Sequence, residues 1–437
     1  MKRSAVEFYV SLATVLAIML SNPGTAAAQS NTAFGTGALA SPSSLNLDDS
    51  AFGFNALNSP TSGPANTAIG AGALQNNTTG AANTASGLNA LTSNTTGDDN
   101  TATGGEALES NTTGDDNTAS GFDALISNTT GDENTASGSG ALALNTTGNG
   151  NTASGFNALF SNAIGNFNTA AGNGALNANT TGAFNTATGA SALALNTTGD
   201  QNTGVGQAAL YNNTSGQFNT AAGLNALSNN TDGNSNTAIG HGALRNSTTG
   251  SNNIALGVNA GFNSTTGDDN IEIGNPGVAA ESSTTRIGTQ GTQNATFIAG
   301  ISGTPVAGDA VVVSSTGQLG IVVSSARYKR DIRTMGNSSE ALMKLRPVTF
   351  RYRNDPSQQR QYGLVAEEVA RVYPDLVSHD ADGKVVSVHY HELVPMLLNE
   401  IQKLRAKAAE DELRLSALEQ KMEAKNAASL ANASPGD

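Results

Sequence analysis

Apolar residues return along this chain at a fixed interval, and the runs between them are polar and rich in Asn, Thr and Gly. In the stretch from Asn100 to Asp116 the apolar positions are Ala102, Ala107 and Leu108, with Gly104 and Gly114 between the runs. The Asn that opens this stretch has counterparts at Asn66, Asn83, Asn117, Asn134, Asn151, Asn168, Asn185, Asn202, Asn219, Asn236, Asn253 and Asn270, and every step is 17 residues. Looser copies begin at Asn31 and Asp49, so fifteen units follow one another from Asn31 to Gly274. Their consensus is N-T-A-x-G-x-x-A-L-x-x-N-T-T-G-x-x.

Short extended runs punctuated by Gly predict two strands and two turns per unit. One unit cannot cover its own apolar side, whereas a stack of units forms a continuous narrow core. The Ala keep such a coil thin, the Leu fill its axis, and the recurring Asn align for ladders of side-chain amide bonds. A helical repeat fits badly, because N-T-T-G would break a helix and the unit is too short for a packed helix pair. Nor does the unit carry the GGxGxD pattern of calcium-binding nonapeptide repeats. The expectation for residues 31–274 is therefore a mainly β, repetitive parallel β-solenoid, or β-roll.

Composition narrows this further. Trp is absent and aromatics are 5% of the chain, so a thick conventional core is not available. Abundant Gly, Ser, Thr and Asn would also suit disorder, but the unbroken spacing argues against it. The net charge of −14 is concentrated in the repeats, which hold sixteen carboxylates and one base, Arg245. Such a surface repels nucleic acid and anionic lipid. Asp98-Asp99, Asp115-Asp116 and Asp132-Glu133 occupy one place in three successive units and could attract a divalent cation, or form a solvated acidic stripe. Sequons such as Asn111-Thr112-Thr113 allow glycosylation, though the Gly three residues on reads more simply as a turn. Cysteine is absent, so neither disulfides nor a lipidated cysteine contributes.

The N-terminus joins a basic start, an apolar run from Phe8 to Leu20 and the small residues Ala26-Ala27-Ala28. This predicts a signal peptide over 1–28, cut after Ala28, and an exported protein, secreted or at a cell surface. A retained anchor is the alternative, but the run is short for a bilayer span. No later segment is expected to span as a helix.

Near Ser324 the composition changes. Ile271-Glu272-Ile273 and Thr296-Phe297-Ile298-Ala299-Gly300 read as strands, the second within a β connector over 275–323. Then follow Ser324-Ser325-Ala326-Arg327-Tyr328-Lys329, Leu345-Arg346-Pro347-Val348-Thr349-Phe350, Tyr362-Gly363-Leu364-Val365-Ala366-Glu367-Glu368-Val369, Tyr373-Pro374-Asp375-Leu376-Val377 and Val388-His389-Tyr390. Val394, Ile401, Ala408, Leu415 and Met422 fall seven apart, with Leu397, Leu404 and Leu418 at the second apolar place and Asp411 interrupting. That is a coiled-coil seam on a helix over 391–426, followed by a disordered tail over 427–437; a lone amphipathic helix packed on its own chain is the alternative.

Two resemblances emerge. The Asn-Thr-Ala-x-Gly units resemble the head repeats of trimeric bacterial surface adhesins, which are three-chain parallel β-rolls. The order of motifs from Ser324 to about Leu404 resembles peptidase S74, the intramolecular chaperone domain of phage endosialidases and tail fibres. That resemblance implies a small α+β chaperone domain over 324–390, assembly of a homotrimer, and self-cleavage before a Ser in the pattern Ser-Asp-x-Arg-x-Lys. Ser324, Arg327 and Lys329 match it, while Ser325 stands where the family has Asp.

The implied chemistry is intelligible from the residues. A Ser hydroxyl needs a base, and a Lys serves once its amine is neutral. Arg327, two residues before Lys329, would share a strand face with it and favour that neutral form. An ordinary Ser-rich loop before a basic strand is the plain alternative. His389 and His391 could bind a metal from one strand face, but no third ligand is evident. Glu367 and Glu368 read as the solvated face of a helix after Gly363.

The expected function is an exported trimeric fibre or adhesin-like structural protein without a cofactor, with a cell-surface or glycan ligand as a further partner. The alternatives are a non-cleaving surface protein and a fibre-borne polysaccharide-active enzyme.

Overall fold

In a computed structural model, residues 31–40, 48–293, 295–298, 311–314, 316–380 and 382–431 are described. The expected signal peptide lies outside them. The chain divides into two units, 1–306 and 307–437.

The first unit is a parallel β-solenoid. Strands β1 (Thr32–Phe34) to β16 (Thr285–Ile287) form one sixteen-stranded sheet, ordered as in the sequence. Each step stacks equivalent residues, such as Ala102 on Ala119. At the usual strand spacing the sheet is about 70 Å long. From the second strand to the fifteenth the central residue points inward and its neighbours face out, as in Thr101-Ala102-Thr103. Ala102, Ala107 and Leu108 have no exposed surface, nor do their counterparts in neighbouring coils, so the interior is an Ala–Ala–Leu column.

Each coil contains one strand where two were expected. The rest of the coil is turns that rely on left-handed residues, three per unit: Glu106, Leu108 and Asp116 have φ of 62°, 52° and 58°. A left-handed Leu costs about 1–2 kcal/mol. Full burial of its side chain contributes about 1.5–3 kcal/mol, enough to offset the strain. The Leu108 amide also donates to the Ala124 carbonyl of the next coil (3.0 Å). Gly104 is required for another reason: a Cβ there would stand 2.4 Å from the Gly121 carbonyl oxygen.

Two Asn ladders run inside the stack. Asn117 donates its backbone N–H and its Nδ2 to Asn100 Oδ1 (3.0 and 3.1 Å). Asn111 donates to Asn94 Oδ1 (2.9 Å) and to the Gly114 carbonyl (3.0 Å). Because Asn111 is fully buried, its sequon is closed to a glycan in the folded coil. At the N-terminal end Asp49 takes the Asn position, and burial pushes its carboxyl up despite the hydrogen bonds from Asn66.

The acidic pairs have a structural role. Asp115 Oδ1 accepts the Asp98 N–H (2.7 Å), and Asp132 Oδ1 accepts the Asp115 N–H (2.9 Å). Asn149 does the same for Asp132 (2.7 Å), so an uncharged acceptor fills the role as well as a carboxylate. Among the described residues no group of three His, Cys, Asp or Glu could hold a metal.

The second unit is small and mixed. It contains the hairpins β17 (Val311–Val313) with β18 (Leu319–Ile321), β19 (Val348–Phe350) with β20 (Gln361–Gly363), and β21 (Val377–His379) with β22 (Val385–Val388). Two helices follow β20: α1 (Ala366–Val372) and the long α2 (Tyr390–Ala431), which continues past the expected end at Asn426. Leu342, Val369, Leu376, Val377, Val388, Leu393 and Met396 form its core. Thr296–Ile298 is not a strand, and Ala299 and Gly300 lie outside the described residues.

Candidate functional site

Ser324 lies three residues beyond β18, outside any helix or strand. Immediately beyond it the chain closes a 3₁₀ turn over Ala326–Tyr328, with the Tyr328 amide donating to the Ser325 carbonyl (3.0 Å) and the Lys329 amide to the Ala326 carbonyl (3.1 Å). This turn brings a residue five positions later back to the start: Lys329 Nζ lies 3.1 Å from Ser324 Oγ. A nucleophile and its prospective base are therefore within hydrogen-bond reach, the first geometric requirement for such a pair.

The same turn takes Arg327 off the strand on which it was expected. Arg327 is in a 3₁₀ turn and not on a strand, so the shared-face argument does not apply. Its guanidinium instead sits 4.7 Å from the centre of the Tyr328 ring, a cation–π contact. Ser324, Ser325, Arg327 and Lys329 are all exposed in the single chain.

The remaining motifs support the domain. Gly363 leaves room for Tyr390: a Cβ there would stand 2.6 Å from the Tyr390 hydroxyl, which accepts the Leu364 N–H at 2.8 Å. Arg346 forms a two-pronged pair with Glu368 (2.6 and 3.2 Å), which holds that carboxyl below its ordinary range. Glu367 is exposed on α1. The Ser339 hydroxyl, fully buried, contacts both Asn399 and Glu400 and so ties α2 to the 3₁₀ segment Gly336–Lys344. Single polar residues on a helix carried no signal of this clasp in the sequence.

His389 and His391 lie at the junction of β22 and α2. His389 Nε2 is 2.9 Å from Ser378 Oγ, and its Nδ1 is 3.4 Å from Glu392. Its polar contacts are thus a hydroxyl and a carboxylate of its own unit.

Residues 324–378 match peptidase S74, the chaperone of endosialidase. The matched S74 segment begins at the Ser that Lys329 contacts and ends within β21. No curated protein matches the chain, and no solved structure does. The solenoid before the S74 segment and the long helix after it fit a structural, tail-fibre-like protein. No helix among the described residues is long and apolar enough to cross a membrane.

Proposed function

We propose that this is an exported fibre protein whose S74 segment assembles three copies of the chain and then detaches by cutting between Val323 and Ser324. The 3.1 Å approach of Lys329 Nζ to Ser324 Oγ, at the first residue of the S74 match, carries the cleavage reading. The seam of α2 supports assembly. Val394, Leu397, Ile401, Leu404, Leu415 and Leu418 are exposed in the single chain, whereas Leu393 and Met396 on the same helix are buried in its own unit. A heptad row left bare is the arrangement by which parallel helices associate. A basic-then-apolar N-terminus supports export, and a glycan or cell-surface ligand for the stalk belongs to the same reading.

In the proposed reaction Ser324 Oγ attacks the Val323 carbonyl while Lys329, as the free amine, takes the hydroxyl proton. The Val323–Ser324 amide breaks, an ester forms on Oγ, and the Ser324 nitrogen leaves as an amine. Water then hydrolyses the ester. Lys329 is exposed to water in one chain; packing in the trimer would exclude that water and favour the neutral amine, which makes cleavage follow assembly. Each chain turns over once.

A second reading has an observation of its own. Ser325 replaces the family acid, so the segment could clamp the trimer without cutting. Mass under denaturing conditions and oligomeric state under native ones separate the two. Cleavage predicts a trimer whose chains end at Val323, plus a fragment beginning at Ser324. Ser324→Ala and Lys329→Ala should each leave the full-length chain, and Ser325→Asp should speed the cut. A wild-type trimer that stays full-length after prolonged incubation leaves the clamp; a monomer defeats both.

A further inference from the structure

The apolar interior of the solenoid ends before its sheet does. Leu fills the axial position from Leu57 to Leu244, but Gly261 takes it in the next coil, where a Cβ would lie 2.7 Å from Leu244 Cδ2. One strand later the Ala column changes as well. Ala255 pairs with Glu272, and Glu272 with Arg286. A carboxylate side chain thus enters the interior where the Leu column has stopped, and Glu272 is only 1% exposed.

The second Asn ladder stops at the same end. It runs to Asn230, and Ser247 and Ser264 occupy its next two positions. A Ser side chain is too short to continue it. Asn230 Oδ1, Ser247 Oγ, Ser264 Oγ and Glu272 Oε2 are all buried with no hydrogen-bond partner. Ser264 Oγ and Glu272 Oε1 crowd the same face of Gly277, 2.6 and 3.0 Å from the point where a Cβ would stand.

The charges that face Glu272 are few. Arg286, on β16, is already engaged by Glu281 through two nitrogens (2.8 and 2.6 Å), and Glu281 adds negative charge of its own. From β14 (Ile254–Leu256) the facing residue is Ala255.

We propose that this end of the solenoid is a proton-binding site, in which Glu272 is held as the neutral acid beside the unpartnered Ser264 hydroxyl and on losing its proton loosens the last strand. Burial pushes the Glu272 carboxyl up to about 7, Arg286 draws it down and Glu281 raises it again. An acid raised in the folded state is stabilising below its unfolded value, near 4.5, and that contribution is lost as pH climbs through about 7. Above that point a buried carboxylate faces an Arg already paired. Among the described residues no strand of this sheet lies beyond β16, so it is the element that yields first.

Amide hydrogen exchange on the intact protein tests this, read on residues 270–288 between pH 5.5 and 8 and corrected for intrinsic rates. Protection of Ile271 and Gly288, whose amides bond to Thr284 and Ile273, should fall by about thirty-fold over that range for a single linked proton. Glu272→Gln, neutral and nearly isosteric, should be flat. Identical profiles for the wild type and the Gln variant overturn the proposal. Should the variant fail to fold, the wild-type profile alone decides, because protection that stays flat from pH 5.5 to 8 means an ordinary carboxylate.

Discussion

Asn151 shows how much one side chain carries in this fold. Its backbone N–H and Nδ2 both reach Asn134 Oδ1 (3.0 and 3.1 Å), and Nδ2 also reaches the Gly165 carbonyl (2.8 Å). Its own Oδ1 receives the same pair from Asn168 (2.9 and 3.2 Å). Replacing it by Ala leaves the buried Asn168 N–H of the next coil without an acceptor and takes one donor each from Asn134 Oδ1 and the Gly165 carbonyl. Asn151→Ala should therefore destabilise the solenoid by about 2–4 kcal/mol in chemical denaturation, more than a typical surface change. A loss under 0.5 kcal/mol would mean that water substitutes readily for the amide. The ladder was legible because identical Asn residues recur in phase. The buried second ladder was not, since Asn111 in N-T-T-G looks the same whether it caps a turn or fills a core. Only the coil above and the coil below decide which.

At the scale of an element, the period was readable and the path within it was not. Of the two strands expected in each unit, one is present, as at Thr101–Thr103. The other is missing: Ala107 and Leu108 lie in a turn where Leu108 adopts φ 52°, a conformation that propensity assigns to Gly. Burial and a hydrogen bond to the next coil override the local preference, and neither is visible within one unit. The Gly at the end of each strand has the opposite character, because no packing can rescue a substitution there. A Cβ on Gly121 would meet the Gly138 carbonyl at 2.6 Å, with φ at 141°. Gly121→Ala should cost about 3 kcal/mol or more and part the strands locally, seen as lost exchange protection confined to adjacent coils. Loss spread evenly along the stack would contradict nearest-neighbour coupling. The same limit explains Arg327: a three-residue 3₁₀ turn has no pattern that separates it from a strand.

For the whole molecule, the heptad spacing in α2 announced a helix that needs a partner, and the exposed Ile401 and Leu404 are its strongest claim to one. Ile401→Asp with Leu404→Asp should convert the proposed trimer to monomer in sedimentation velocity while the helix content in circular dichroism falls only modestly. An unchanged oligomeric state would place the assembly surface elsewhere. The partner itself could not be read from one chain, because a seam looks the same before and after it is covered.

The solenoid has a consequence for how such a stalk can change. From Asp49 to Asn270 every ladder in it joins a residue to its equivalent 17 positions away, as Asn100 joins Asn117 and Ala102 joins Ala119. Removing or adding 17 residues within the run leaves each bond with an equivalent partner, whereas a change of any other size puts Ala, Leu and Asn out of phase at the join. Length in this molecule is therefore counted and not continuous: reach from base to tip comes in whole increments of about 4.8 Å, and duplication or loss of one unit re-sizes the stalk without rewriting any contact.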